Sequence, residues 1–182
     1  MAKQVIEQVQ TWLEQVVIGL NLCPFAQKPH RQGAIHYHVF EGNDDKALLA
    51  TIYQELEALE KTPIEERETS LLITPDYLSK FDDYNQFLGD VEWMLERAGW
   101  EGTFQVASFH PDYQFAGTLP DDAENLTNRS PYPIFHLLRE ESLAAAIERF
   151  PDTDEIPGTN IKCMNQLSPE KKRQLFPYLF SK

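Results

Sequence analysis

The feature that most constrains the fold is an alternation between helical and strand-like hydrophobic spacing along the first 109 residues. Helical spacing covers residues 3–19, 43–62 and 84–98, and strand-like runs cover residues 34–40, 70–74 and 103–109. The order α-β-α-β-α-β predicts an α/β layered domain with a three-stranded, mostly parallel sheet, because helical crossovers join parallel neighbours. A ferredoxin-like α+β sheet with an antiparallel strand is the alternative.

The remaining residues predict additional helices. Ser130 can cap a fourth helix with Pro131 or Pro133 in its first turn, and Pro151 would end that helix. Residues 160–166 and 168–176 predict two short helices near the C-terminus. No repeat, low-complexity segment or linker divides the chain, so residues 1–182 are predicted to form a single globular α/β domain.

Composition limits the partners. The net charge is −13, and the only basic triple, 171–173, is best interpreted as a solvated helix face. The negative electrostatic field of such a chain disfavours binding to nucleic acid and to anionic membranes. No apolar run approaches the roughly 20 residues of a membrane span, and the N-terminus lacks a secretory pattern. We therefore expect a cytoplasmic protein that binds neither nucleic acid nor membrane.

Residues 108–140 concentrate polar side chains between a predicted strand and a predicted helix. His110 follows the third strand, at the end of the sheet where α/β proteins bind ligands, and its ordinary pKa suits proton transfer. His110 is thus a candidate general acid or base. The alternative is a structural histidine that bonds to the loop backbone.

Arg129 precedes the predicted fourth helix, where free amides and a guanidinium together favour an anion. Asn125 and Asn128 would donate hydrogen bonds to the same ligand, and Arg139 would add a second cation. The alternative is that Arg129 staples the loop to the neighbouring carboxylates 121 and 122.

Those carboxylates, Asp121 and Asp122, would orient His110 or bind a hard cation, although adjacent acids after a proline are also common turn residues. His136 and Glu140 are four residues apart and would share a face of the predicted helix. They would form a histidine–carboxylate pair that orients a base, or only a partly solvated ion pair.

Cys23 lies in a Cys-Pro-Phe segment similar to that of thiol-transfer proteins, but a helix rather than a strand precedes it. A buried, inert cysteine is the favoured interpretation, and a reactive or metal-bound thiolate is the alternative. Cys23, His110 and His136 have side chains suited to zinc, although their spacing matches no short zinc motif.

A long motif resembles a known bacterial family. It runs Ser-Phe-His-Pro-x-Tyr-Gln-Phe-Ala-Gly, Pro-Asp-Asp, Asn-x-Thr-Asn-Arg-x-Pro-Tyr-Pro and His-Leu-Leu-Arg-Glu, and residues 19–26 add Gly-Leu-Asn-Leu-Cys-Pro-Phe-Ala. The chain resembles the family catalogued as domain of unknown function 1415, from Trp12 to about Leu167. The resemblance implies no activity, and Cys163 lies outside its pattern.

These observations favour a small-molecule enzyme that acts on an anionic, phosphate- or carboxylate-bearing metabolite at residues 108–140. The candidate catalytic residues are His110, Asp121, Asp122 and His136, and the candidate substrate-binding residues are Asn125, Asn128, Arg129 and Arg139. The alternatives are a non-catalytic binding or regulatory module and a metal-binding protein that uses Cys23, His110 and His136. The sequence predicts no particular cofactor, reaction or oligomeric state.

Overall fold

Four strands form one mixed sheet with helices on both faces, in a computed structural model that describes residues 1–149 and 152–180. The strands are β1 (Ile35–Val39), β2 (Thr69–Ile73), β3 (Phe104–Phe109) and β4 (Ile134–Arg139). The α-helices are α1 (Ala2–Trp12), α2 (Gln27–Gln32), α3 (Asp45–Lys61), α4 (Phe81–Ala98), α5 (Glu140–Arg149), α6 (Ile156–Gln166) and α7 (Pro169–Leu175). A π-helical turn (Leu13–Ile18) extends α1, and short 3-10 helices cover Ala123–Asn128, Thr153–Glu155 and Pro177–Leu179.

The strand order is β1-β2-β4-β3. Strand β1 is parallel to β2, and β4 lies between β2 and β3 and is antiparallel to both. Two helical crossovers, α3 and α4, therefore connect parallel strands, while the long loop 110–133 connects the antiparallel pair β3 and β4. This loop allows β4 to enter the middle of the sheet rather than its edge.

The α/β class is confirmed, but the prediction of three mostly parallel strands is wrong. The described residues form four strands, and two of the three pairings are antiparallel. The antiparallel strand is interior, and the strand–helix order from β1 to β4 is β-α-β-α-β-β, whereas a ferredoxin-like fold has β-α-β-β-α-β.

The predicted fourth helix is also wrong over its first half, since Ile134–Arg139 is strand β4 and the helix begins at Glu140. A central strand covered on both faces is apolar at consecutive positions. Ile134, Phe135 and Leu137 are all fully buried, and so short an apolar run is compatible with either structure. Pro151, predicted to end this helix, lies outside the described residues.

Each face of the sheet packs against its own set of helices. On one face, α3 and α4 enclose a core that contains Leu72, Phe135 and Leu137. On the other face, α1, its π-turn, α6 and α7 pack on Leu71, Ile73 and Ile134. The alternation of side chains along β2 and β4 thus divides the molecule into three layers.

Local signals explain several helix ends. Asp44 caps α3 by accepting a hydrogen bond from the Ala47 amide at 2.9 Å. Gly99 ends α4 in the left-handed conformation with φ of 74°. At Gly19 the π-turn closes so tightly that a Cβ would lie 2.4 Å from the Gln15 carbonyl oxygen.

Helix α2 was not predicted, because Pro29 interrupts a six-residue segment that carries no helical stripe. Within the described residues, no helix has both the length and the hydrophobicity needed to cross a membrane.

Candidate ligand-binding cavity

The loop between β3 and β4 is organised by the side chain of Asn125, which is fully buried. Its Oδ1 accepts hydrogen bonds from the Phe115 amide at 3.0 Å and from the Thr118 hydroxyl at 2.9 Å. Its Nδ2 donates to the Leu119 carbonyl at 2.8 Å. Asn125 therefore has its polar groups satisfied by the loop itself, and its proposed contact with a substrate stays a prediction.

Two further candidates also bond to the backbone. Asp122 accepts a hydrogen bond from the Leu119 amide at 2.8 Å, and Asn128 donates to the Ser108 carbonyl at 3.1 Å. Asp121 is exposed. These contacts are those of turn residues, and catalytic roles for the two carboxylates stay predictions.

Arg129 does not precede a helix, since it follows the 3-10 helix and strand β4 comes next. The helix N-terminus expected to attract an anion beside it is therefore absent. Its Nε donates to the Tyr113 carbonyl at 3.1 Å, and its Nη2 donates to the Pro120 carbonyl at 2.7 Å. The guanidinium staples the loop through backbone carbonyls rather than through the neighbouring carboxylates.

His110 is fully buried on the α4 side of the sheet, where its ring packs against Phe81 and Tyr84. Its Nδ1 accepts from the Asp112 amide at 3.0 Å, so Nε2 carries the proton and donates to the Leu78 carbonyl at 3.1 Å. Both ring nitrogens of His110 therefore form hydrogen bonds with backbone groups. This is the structural alternative for His110, whose role in proton transfer stays a prediction.

Arg139 forms hydrogen bonds with carbonyl groups at and beyond the C-terminal end of α3. Its Nη2 donates to the carbonyls of Leu59, Thr62 and Arg67, the first being the shortest contact, and the side chain is buried. Leu59 and Thr62 lie at the C-terminus of α3, where a cation and extra donors are stabilising, and Arg67 lies in the segment between α3 and β2. Arg139 thus joins β4 to α3, and a contact with an anionic ligand stays a prediction.

His136 and Cys23 line one cavity of about 540 Å³ on the opposite face of the sheet from His110. Its floor is formed by strand residues that include Ala107, Phe109 and Leu138. The cavity exists because α6 and α7 pack beside the end of β4 at Ile134 and leave the other end to α5.

Three segments contribute most of the apolar wall residues. Helix α1 with its π-turn contributes Trp12 and Val17, the loop after it contributes Phe25, and α5 contributes Leu143 and Ala146. Nearly all of these side chains are apolar, so the cavity offers few hydrogen-bonding groups. His136 is therefore the main polar feature of the floor.

Hydrogen bonds determine the tautomer of His136. The Thr69 hydroxyl has one proton, which it donates to the Leu137 carbonyl at 2.6 Å, so it accepts from His136 Nε2 at 2.7 Å. No donor among the described residues bonds to Nδ1, which keeps its lone pair. Burial lowers the pKa of His136 to about 4, so the ring is neutral near pH 7.

Cys23 is a thiol rather than a thiolate, because burial raises its pKa despite backbone hydrogen bonds from Phe25 and Ala26. The inert interpretation of Cys23 agrees with this environment. His110 lies across the sheet from Cys23 and His136, so the proposed zinc ligand set of these three residues does not come together. His136 and Glu140 also do not share a helix face, since the former belongs to β4.

Three buried side-chain donors have no hydrogen-bond partner among the described residues: Trp12 Nε1, Arg139 Nε and Ser142 Oγ. All three belong to residues that line the cavity. Buried donors without partners are uncommon and each costs roughly 1–3 kcal/mol. Their concentration around one cavity distinguishes this region from the rest of the described chain.

Charged residues lie at the cavity rim. Lys28 and Arg149 are exposed there, as is Glu141, and Glu68 is half-buried. The rim therefore presents both signs of charge around an apolar interior.

Sequence reasoning identified His136 and Cys23 as candidates but missed the cavity that joins them. The walls come from residues 12–29, 35, 64–71, 107–109 and 136–149, which no local pattern connects. The one sequence signal for this arrangement was the near-continuous apolar run of β4, which is typical of a central strand.

Fold and site together define a mixed α/β protein with a largely apolar, small-molecule-sized cavity on one face of its sheet. The chain belongs to the family of proteins of unknown function DUF1415, whose family model matches residues 4–174. No curated protein and no solved structure matches the chain.

Proposed function

We propose that this protein is a small-molecule-binding module whose site is the cavity lined by His136 and Cys23. The observation that carries the proposal is the cavity itself, whose volume of about 540 Å³ falls within the range of ligand sites. Such sites combine apolar walls with a few polar groups that orient the ligand. His136 is a polar group of this kind.

The chemistry of the cavity favours binding over catalysis. A histidine whose pKa is lowered to about 4 is a weak base near pH 7, and a protonated thiol is a poor nucleophile. The other candidate acid–base and anion-binding residues bond to the backbone of their own loop or of α3. These pKa shifts and backbone contacts support a non-catalytic binding module, which was the alternative from the sequence. They give less support to an enzyme that acts on anionic metabolites.

The proposed ligand has a mostly apolar body and one hydrogen-bond donor. The body would replace contacts with water by contacts with Phe25, Phe109 and Leu138. The donor would bond to Nδ1 of His136, the ring nitrogen for which the described residues provide no partner. Lys28 and Arg149 at the rim would tolerate an acidic group at the outer end of the ligand.

The test is binding of the fluorescent dye 1-anilinonaphthalene-8-sulfonate to two matched variants in α5. Ala146 lines the cavity, and Ala144, two residues away, is exposed and does not. We expect the native protein and Ala144→Trp to bind one dye molecule with equal affinity. Ala146→Trp fills the cavity, and its affinity should fall at least about tenfold, equivalent to roughly 1.4 kcal/mol.

Circular dichroism and thermal unfolding of each variant would confirm that the fold is retained. Equal dye affinity in Ala146→Trp and the native protein would refute the proposal. An equal loss in both variants would also refute it, because the dye would then be reporting the general state of α5 rather than occupancy of the cavity.

A further inference from the structure

A second cluster of polar side chains lies on the other face of the sheet, at the edge strand β1. His36 and His38 are two residues apart and therefore point to the same side of the strand, toward α3. The side chain of Glu55, on α3, lies close to both histidines. Its Oε1 lies 3.0 Å from His38 Nδ1, and its Oε2 lies 3.8 Å from His36 Nε2.

These three residues form the one group of at least three His, Cys, Asp or Glu side chains within metal-binding reach in the described part of the chain. One ligand atom from each lies within 4.8 Å of the others. Tetrahedral zinc with bonds near 2.1 Å holds its ligand atoms about 3.4 Å apart. Oε1 of Glu55 and Nδ1 of His38, which are 3.0 Å apart, are close to that separation. His36 Nε2, which is 3.8 Å from the other carboxylate oxygen, would move toward Oε1 by side-chain rotation.

Charges and hydrogen bonds around the cluster shift the pKa values of two of its members, Glu55 and His36. Burial alone would raise the pKa of Glu55, but the hydrogen bond with His38 and the charge of Arg67 lower it. Burial and Arg67 lower the pKa of His36. Both pKa values are shifted in the direction that favours the metal-binding forms, a carboxylate and a neutral imidazole.

Arg67 is the strongest objection to a metal site, because its guanidinium forms a close ion pair with Glu55 Oε2. Arg67 also donates to the Ser70 hydroxyl at 2.9 Å, which anchors it at the start of β2. Glu55 can nevertheless bind a metal through Oε1 while Arg67 holds Oε2. Ligating carboxylates commonly have such an outer partner, which fixes their orientation.

The cluster of His36, His38 and Glu55 is accessible from solvent. The side chains of His36 and His38 are 45% and 37% exposed, whereas that of Glu55 is 9% exposed. A cation could therefore enter from the outer side of β1 and keep water in its remaining coordination positions. Two imidazoles and one carboxylate leave such positions open in known zinc and iron sites.

We propose that His36, His38 and Glu55 form a binding site for a divalent transition-metal ion of the zinc type, with Arg67 orienting the carboxylate. Imidazole-rich sites favour Zn²⁺, Co²⁺, Ni²⁺ and Cu²⁺ over Mg²⁺ and Ca²⁺, which prefer oxygen ligands. The site is separated from the cavity by the sheet and is independent of the proposed ligand.

The test is calorimetric titration of the full chain, without an affinity tag, with Zn²⁺ at neutral pH. We expect saturable binding of one ion per chain. His36→Ala and His38→Ala should each weaken binding by at least about 10- to 100-fold, the loss that removal of an outer hydrogen-bonding partner of a ligand already causes. His30→Ala is the matched control, because His30 is a half-buried histidine on α2 outside the cluster, and it should bind like the native protein.

A measurement without substitutions makes the result independent of variant stability. In proton NMR spectra, Zn²⁺ should shift the ring resonances of His36 and His38 and leave those of His110 unchanged. Absence of stoichiometric binding would overturn the proposal. Retention of native affinity in either His36→Ala or His38→Ala, or ring shifts confined to other histidines, would also overturn it.

Discussion

The Thr69 hydroxyl determines how His136 can act in the cavity. Because this hydroxyl donates to a main-chain carbonyl, it can only accept from the imidazole, and the proton of the neutral ring is held on Nε2. Nδ1 is then an acceptor. Thr69 of β2 therefore determines that a ligand bound beside Nδ1 of His136 should provide a hydrogen-bond donor.

The lowered pKa of His136 predicts how stability depends on pH. Between pH 6.5 and about 4, the unfolded chain binds a proton at this position and the folded protein does not. Stability should therefore fall as the pH decreases through this window, by on the order of 2 kcal/mol from this group, with no further loss below it. Urea unfolding of the native protein and His136→Phe at several pH values would measure the difference.

The variant separates this effect from other groups that titrate in the same range, including Glu55, whose pKa is also lowered. Carboxylates contribute to both profiles and cancel in the comparison. His136→Phe should lose less stability than the native protein between pH 6.5 and 4. If the two profiles remain parallel, His136 is not a neutral group with a lowered pKa in the folded protein.

Among the elements, α5 differs from the other long helices because none of its described residues is buried. It follows β4 without a loop and covers the cavity with Leu143 and Ala146. Helices α3 and α4, by contrast, bury Leu56, Leu59 and Val91 in the core. Little apolar contact holds α5 against the sheet, and its local stability should be low.

Hydrogen–deuterium exchange tests this expectation. Amides of α5 should exchange faster than those of α3 and α4, because local opening of α5 disrupts few contacts. Saturation with 1-anilinonaphthalene-8-sulfonate should slow exchange in α5 without affecting α4. Exchange in α5 that is as slow as in α4, or that the bound dye does not change, would show that α5 is not a mobile wall of the site.

The elements that were predictable are those with a local signal. Helices α3 and α4 have a hydrophobic stripe, and each has a recognisable end, at Asp44 and Gly99 respectively. Strand β4 was mistaken for a helix because a fully covered strand lacks alternation. Its position between β2 and β3 depends on the α4 crossover, which leaves one strand position between β2 and β3, and no short-range pattern encodes this spacing.

The candidate site was only partly predictable for the same reason. The composition of residues 108–140 indicated many polar side chains, but not that Asn125 and Arg129 bond to the backbone of their own loop. Residue type alone does not distinguish a polar group that organises a loop from one that awaits a ligand. His136 was a candidate from the sequence, but its role as a hydrogen-bond acceptor in a cavity followed only from Thr69 and the lining residues.

At the scale of the whole molecule, the sheet separates two regions of different character. The α3–α4 face contains a continuous hydrophobic core and places its polar cluster at the edge strand. The α1–α5 face has a filled half beneath α6 and α7 and a hollow half beneath α5. Binding in the hollow half should therefore leave the opposite core unperturbed.

The most direct measurement is a ¹⁵N–¹H NMR titration of the native protein with indole, an apolar molecule with one N–H donor, and with indene, which lacks the donor. The proposal predicts that indole shifts the Trp12 side-chain resonance and the Leu138 amide, leaves the Val91 amide unchanged, and binds more tightly than indene. Shifts centred on the α3–α4 face, or no preference for indole over indene, would contradict a cavity site that uses His136.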